Sequence, residues 1–304
     1  MVMIKRVLAL LGSGALAILL LRQAETAAQA VRDGVQLCLT SVIPALFPFF
    51  AVSSLLVALG AAEAAGRALA RPFRRLFRCG GAGCAALLLG LVGGYPVGAR
   101  TAAELVRRGE LSPAEGAQLL TFCNNAGPAF AIGVAGVSVF GSTRTGAWLY
   151  LLHCAAALLT GLLFCRRPLP VTAMPKRPVP PRAGLTGQFL RAVEGAVSAM
   201  ARVCGFVVFF LVLLRLAEGL IGPLPPLAAG VLELTNGILR LTPDRRGFVT
   251  AAALLGWGGL SVHCQTAAVT AGSGISLRLY LPAKAVQAAL SAGLAALLAP
   301  YLLP

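Results

Sequence analysis

Residues 90–130 read GLVGGYPVGARTAAELVRRGELSPAEGAQLLTFCNNAGPAF. Apolar segments long enough to cross a membrane flank this stretch, yet it is too interrupted to be one plain spanning helix. Gly90, Gly93, Gly94, Pro96 and Gly98 break the first apolar run; Asn124, Asn125, Gly127 and Pro128 break the next. In hydrocarbon, a broken backbone strands N–H and C=O groups at a cost of several kcal/mol each. Such breaks persist only where protein buries them or where they line a watery cavity. Paired broken segments in two halves of a chain point to a transporter's binding site. A second, matching half is therefore the feature to look for.

The composition places the chain in a membrane. Of 304 residues, 58% are hydrophobic and only 12% charged, and the mean hydropathy is +0.85. A soluble domain carries about 25% charged residues. We expect an integral membrane protein with a single membrane domain over residues 1–304, and lipid as a partner. The net charge is +16, but the basic residues sit between apolar runs and no basic face is interleaved with aromatics. That is the positive-inside pattern, not a nucleic-acid surface. The eight cysteines form no C-x-x-C pair, and most lie in apolar runs. They read as small buried hydrophobes, not as metal ligands or disulfides. With two histidines, no clustered carboxylates and no metal-ligand spacing, neither an enzyme nor a cofactor is expected.

Working outward toward the N-terminus, residues 84–106 read as a re-entrant hairpin around G-x-x-G-G-Y-P-x-G. The competing reading is a small-residue packing face, since Gly94 and Gly98 have GxxxG spacing. Residues 61–79 carry Arg67, Arg71, Arg74, Arg75 and Arg78 and read as an amphipathic helix lying in the cytoplasmic interface. Residues 35–60 form a span kinked by Pro44 and Pro48. Residues 7–21 follow Lys5 and Arg6. The poor cleavage context from Arg22 to Glu25 makes them a retained first helix, not a signal peptide.

Toward the C-terminus, Leu111-Ser112-Pro113-Ala114-Glu115 is a helix start, with Ser112 as N-cap and Glu115 closing a capping box. The spanning helix it opens, 113–140, is interrupted at residues 123–128. Asn124 and Asn125 either cap the break or also contact a solute, since unpaired amides at that depth are costly. A span at 146–165 holds His153, read as a packing residue. The Pro-rich basic connector 166–191 divides the chain into a first half, 1–165, and a second, 192–304.

The second half repeats the plan. Residues 196–221 form a span containing Arg202 and Arg215. Residues 224–239, centred on Glu233, Thr235, Asn236 and Gly237, are too short and broken to cross and read as a second re-entrant hairpin. Leu241-Thr242-Pro243-Asp244 repeats the earlier start signal, and the helix after it breaks at residues 256–265. Residues 281–302 are the last span. With the N-terminus inside and both hairpins returning to their starting sides, most basic residues, Arg278 and Lys284 among them, fall on the inner side. Far fewer (Arg22, Arg32, Arg144, Arg240, Arg245, Arg246) fall outside. The hairpins then enter from opposite sides. The expected fold is an all-α, polytopic membrane protein with two inverted repeats, each with a re-entrant hairpin and a broken transmembrane helix.

The stretches SVIPALFPFF, GLVGGYPVGA, LSPAEGAQLLTFCNNAGPAF, ELTNGI and WGGLSVHCQ resemble the YlbJ-type sporulation integral membrane proteins of endospore-forming bacteria. These belong to the nucleoside-recognition, or gate-domain, group, which is similar in fold to concentrative nucleoside transporters. The resemblance implies a role in spore formation: moving dipicolinate across the outer forespore membrane, a membrane derived from the mother cell. It spans nearly the whole chain but not the connector 166–191. Gate-fold relatives often assemble through extra helices, so it also leaves a homo-oligomer open.

The expected substrate is a small organic anion. Broken-helix N-termini present N–H groups and positive dipole ends to carboxylates. The hairpin turn Gly94, Tyr95 and Pro96 would hold the solute. Arg100 would pair with a carboxylate, and Asn124, Asn125, Thr235, Asn236, Ser261 and Gln265 would orient it. Glu233 is the awkward member: it must pair with Arg202 or Arg215, be protonated, or carry a coupling cation. The rivals are a transporter of nucleosides or other neutral solutes, which rests on fold analogy, and a membrane scaffold that transports nothing.

Overall fold

The computed structural model describes residues 2–59, 61–165 and 184–302, all helix, turn or coil with no strand among them. Most of the expected connector, residues 166–183, lies outside that set. By length and composition, the segments 143–164, 185–221, 245–270 and 280–302 can each cross a membrane. The protein is an all-helical integral membrane protein.

Helix α1 (Val2–Arg22) meets α2 (Ala24–Leu37) at a bend of 93°. Residues 24–34, where no span was expected, are helical and pack along a later helix through Gly34, where a Cβ would stand 3.1 Å from the Val208 Cα. A π-helical turn over Cys38–Val42 joins α2 to α3 (Ile43–Ala58). Ile43 N–H reaches back five residues to the Cys38 carbonyl, one residue before Pro44, which has no N–H to give. Helix α4 (Ala61–Phe77) is amphipathic. Its Phe73 and Phe77 are buried, and Phe77 stacks on Phe122 at 4.6 Å, while Arg67, Arg71, Arg74 and Arg75 are exposed.

Helices α5 (Gly83–Gly93) and α6 (Val97–Arg107) form a tight hairpin turning at Gly94–Pro96. Gly94 has φ +75°, a left-handed conformation that favours glycine. Helix α7 (Pro113–Cys123) starts as its sequence predicts. Ser112 Oγ accepts from the Glu115 N–H at 3.2 Å, and the Glu115 carboxylate accepts from the Ser112 N–H at 2.8 Å. Both residues are buried. Ser112→Ala is expected to lower stability by about 1 kcal/mol, read as a drop in the midpoint of thermal unfolding in detergent. Extended backbone at Asn124 ends α7, and the chain resumes as a π-helix over Ala129–Val139.

Helices α8 (Thr143–Phe164) and α9 (Leu185–Ile221) follow. Then come two short helices, α10 (Pro226–Leu232) and α11 (Leu234–Leu239), again folded on each other. Helix α12 (Arg245–Trp257) is capped by Asp244, whose carboxylate accepts from the Gly247 N–H at 2.6 Å. It breaks at Gly258, with φ +92°, into α13 (Gly259–Thr270). Helix α14 (Tyr280–Leu302) closes the chain and packs along α12 and α8.

Both short hairpins close through facing glycines. A Cβ on Gly98 would stand 3.0 Å from the Gly90 Cα, and one on Gly237 would overlap Gly230. Glu218, near the end of α9, ties down the second hairpin. Its carboxylate accepts from Leu224 N–H at 3.1 Å and pairs with the half-buried Arg240. Arg215 also pairs with Glu218, and Arg202 donates to Ser198 at 2.9 Å. Neither arginine pairs with Glu233.

Candidate functional site

The four backbone interruptions meet. Gly94, at the first hairpin's turn, touches Gly127 in the break after α7: a Cβ on Gly94 would lie 2.9 Å from the Gly127 N. Tyr95 reaches from the same turn to the break between α12 and α13. Its hydroxyl donates to the Leu255 carbonyl at 3.0 Å and stands 3.0 Å from where a Cβ on Gly258 would lie. Gly259, with φ +84°, backs onto the second hairpin, a Cβ there falling 3.0 Å from Leu234 N. Each interruption is followed by a helix start, at Val97, Ala129, Leu234 and Gly259.

Between them lies a cavity of about 50 Å³. Gly94, Tyr95, Gly127, Glu233, Thr235, Ser261 and Gln265 line its polar end. Val42, Leu46 and Phe50 from α2–α3 and Val203 and Val207 from α9 form an apolar wall. The space suits a few water molecules, whereas ligand pockets run to about 300 Å³ and above.

The expected residues divide into three groups. Gly94, Tyr95, Glu233, Thr235, Ser261 and Gln265 come together at the cavity. Pro96 and Asn236 sit one residue beyond the lining, at the starts of α6 and α11. Asn236 donates through both its N–H (2.8 Å) and Nδ2 (2.7 Å) to Glu233, which caps α11. Among the described residues no cation pairs with Glu233. Arg100 is exposed on α6 and is not part of the lining. Arg100→Gln is therefore expected to change transport less than twofold, a size typical of surface substitutions, measured as initial uptake at equal protein density.

Asn124 and Asn125 are fully buried behind the cavity, in a polar cluster that sequence reasoning did not assemble. Asn125 Nδ2 donates to the Phe122 carbonyl at 2.8 Å, and its Oδ1 accepts from Gln287 Nε2 at 2.9 Å. Asn124 Nδ2 donates to Thr266 Oγ1 at 2.8 Å and Tyr280 OH at 3.3 Å. His263 Nδ1 and Thr266 Oγ1 each lie 3.1 Å from the Tyr280 hydroxyl. His153 is structural at this break, as expected: its Nε2 accepts from Ala126 N–H at 3.0 Å. Lys284, assigned from charge counting to the inner surface, is completely buried. Its ammonium donates to the Asn124 carbonyl at 3.0 Å and to Gln287 Oε1 at 2.8 Å. A lone lysine in sequence is read as solvated, and one of its two acceptors, the Asn124 carbonyl, lies 160 residues away.

No solved structure matches this chain. Residues 39–143, which contain the first hairpin and the break after α7, match the family described as Gate: Nucleoside recognition. The sporulation integral membrane protein YlbJ of Bacillus subtilis (strain 168) is 26% identical to this chain, over 85% of this chain and 74% of the relative. The chain thus matches a gate-type family over part of its length and is similar along most of its length to a sporulation integral membrane protein.

Proposed function

We propose that this protein is a solute carrier of the sporulating cell, set in the outer forespore membrane, whose cargo is a small organic anion of the dipicolinate type. The carrying observation is the meeting of four backbone interruptions, two from each half of the chain, around one small cavity with polar residues in its lining. Irregular backbone at membrane depth is stable where protein buries it or where it lines a cavity, and that is also where carriers hold their solutes. In this reading α5–α6 and α10–α11 are re-entrant hairpins of two inverted repeats, and the cavity must widen to admit a solute. Helix starts aimed at the cavity favour carboxylates. Similarity to a sporulation protein supports the cellular setting.

A second reading, a neutral solute such as a nucleoside, is favoured by Glu233, an acceptor lining the cavity with no cation beside it. Purified full-length protein in sealed vesicles separates the two. Uptake of labelled dipicolinate in excess of labelled nucleosides supports the first reading. The reverse order selects the second, and movement of neither class sinks the carrier.

A further inference from the structure

Lys284 is a fully buried cation with no anionic partner among the described residues. Two of its N–H bonds meet neutral acceptors, and an aromatic ring lies nearby. One meets the Asn124 carbonyl, the residue at which α7 ends; one meets Gln287 Oε1; and the Tyr95 ring lies 5.3 Å from Nζ. The C-terminal end of a helix carries partial negative charge and favours a cation there. A buried lysine is nevertheless costly unless it is fully paired. Glutamine or methionine would fill the same space more cheaply, and ionisable residues inside membranes mark ion or proton pathways.

The position links this charge to the cavity. Tyr95 lines the cavity with its turn and faces Lys284 with its ring. Asn124 holds the lysine through its carbonyl and begins the break that carries Ala126 and Gly127 to the cavity wall. Near the lysine, the buried atoms Asn124 Oδ1 and His263 Nε2 have no hydrogen-bond partner among the described residues. The titratable groups around Lys284 are Cys123 on α7, His153 on α8, His263 on α13, Tyr280 on α14 itself, and Tyr95 at the hairpin turn. Helix α12 also packs on α14, and its charged residues, Arg245 and Arg246, are exposed at its start.

We infer that Lys284 is the proton-binding residue that couples a proton to solute movement, a tethered cation at a helix end. As ammonium it holds the break after α7 to α14 through a charge-assisted hydrogen bond and keeps the cavity small. Released to water on one side of the membrane, its proton leaves a neutral amine that holds the Asn124 carbonyl only by a weaker, uncharged hydrogen bond. A proton taken from water on the other side restores the clip. The inference rests on the carrier reading and adds its energy source.

The test uses the full chain in sealed vesicles with a pH-sensitive dye inside. Wild-type uptake is expected to carry protons with the solute, to respond to an imposed pH gradient and to be indifferent to a sodium gradient. Lys284→Gln is expected to lose the proton movement and the response to an imposed pH gradient. Gln287→Glu, which sets a carboxylate beside the ammonium, is expected to move the pH midpoint of exchange upward by about one unit or more. That readout survives if Lys284→Gln does not fold. Solute movement without proton movement in wild type, proton movement retained in Lys284→Gln, or an unmoved midpoint in Gln287→Glu overturns the inference and leaves the carrier standing. Absence of any solute movement in wild type removes both.

Discussion

Gly98→Ala is expected to abolish accumulation of folded protein. A Cβ there would overlap the Cys123 carbonyl oxygen, which sits between Gly90 and Gly98. The obstacle is backbone on both sides, so no side chain can turn away to make room. Overpacking a core costs about 1–3 kcal/mol where side chains can adjust. Here the first hairpin and the end of α7 would have to separate, which places the cost at roughly 4 kcal/mol or more, in the range reserved for severe core defects. Gly90→Ala is expected to do the same. Gly205→Ala is the matched control: it lies within α9, a Cβ there meets nothing within 4 Å, and helix propensity favours alanine by up to about 1 kcal/mol. Size-exclusion profiles of detergent extracts will show a monodisperse peak for Gly205→Ala and aggregated or absent protein for Gly98→Ala. A well-folded Gly98→Ala protein would mean that the hairpin does not seat on α7 as described.

Glu233→Gln is expected to raise the apparent affinity for a dicarboxylate about tenfold. Unit charges some 6 Å apart at an effective dielectric near 20 repel by about 2–3 kcal/mol, and partial screening brings this toward the 1.4 kcal/mol that equals a factor of ten. The amide oxygen can still accept from Asn236, so the cap of α11 survives and the change reports on charge. Concentration dependence of initial dipicolinate uptake in vesicles reads it directly. A tenfold loss of transport would instead mean that Glu233 receives hydrogen bonds from the solute, which selects the neutral-solute reading.

Much of the framework is legible in the chain because its markers act through the backbone. Gly94, Gly258 and Gly259 sit at positive φ, Ser112 and Glu115 form the capping box their spacing implies, and Glu233 and Asn236 fold the short second hairpin onto itself. Such residues mean the same thing wherever they occur. The polar cluster behind the cavity was not legible, because Lys284, Gln287, Tyr280 and Thr266 are drawn together by Asn124 and Asn125, more than 140 residues away. Nothing near Lys284 in sequence distinguishes it from Arg278, which is exposed at a loop. Arg100 misled in the opposite way: closeness to the turn in sequence was taken for closeness in space, but α6 carries it outward.

The carbonyl of Cys123 lodged between two glycines also determines how the molecule can open. Backbone pressed on backbone cannot slip by a fraction of an ångström without collision, so α5, α6 and α7 travel as one welded piece. On the opposite side of the hollow, Val42, Leu46, Phe50, Val203 and Val207 meet through branched and aromatic side chains, which re-seat by changing rotamer. In the proposed carrier, the seam expected to yield lies along α3 and α9, and the piece bearing Tyr95 and Asn124 is expected to move against it.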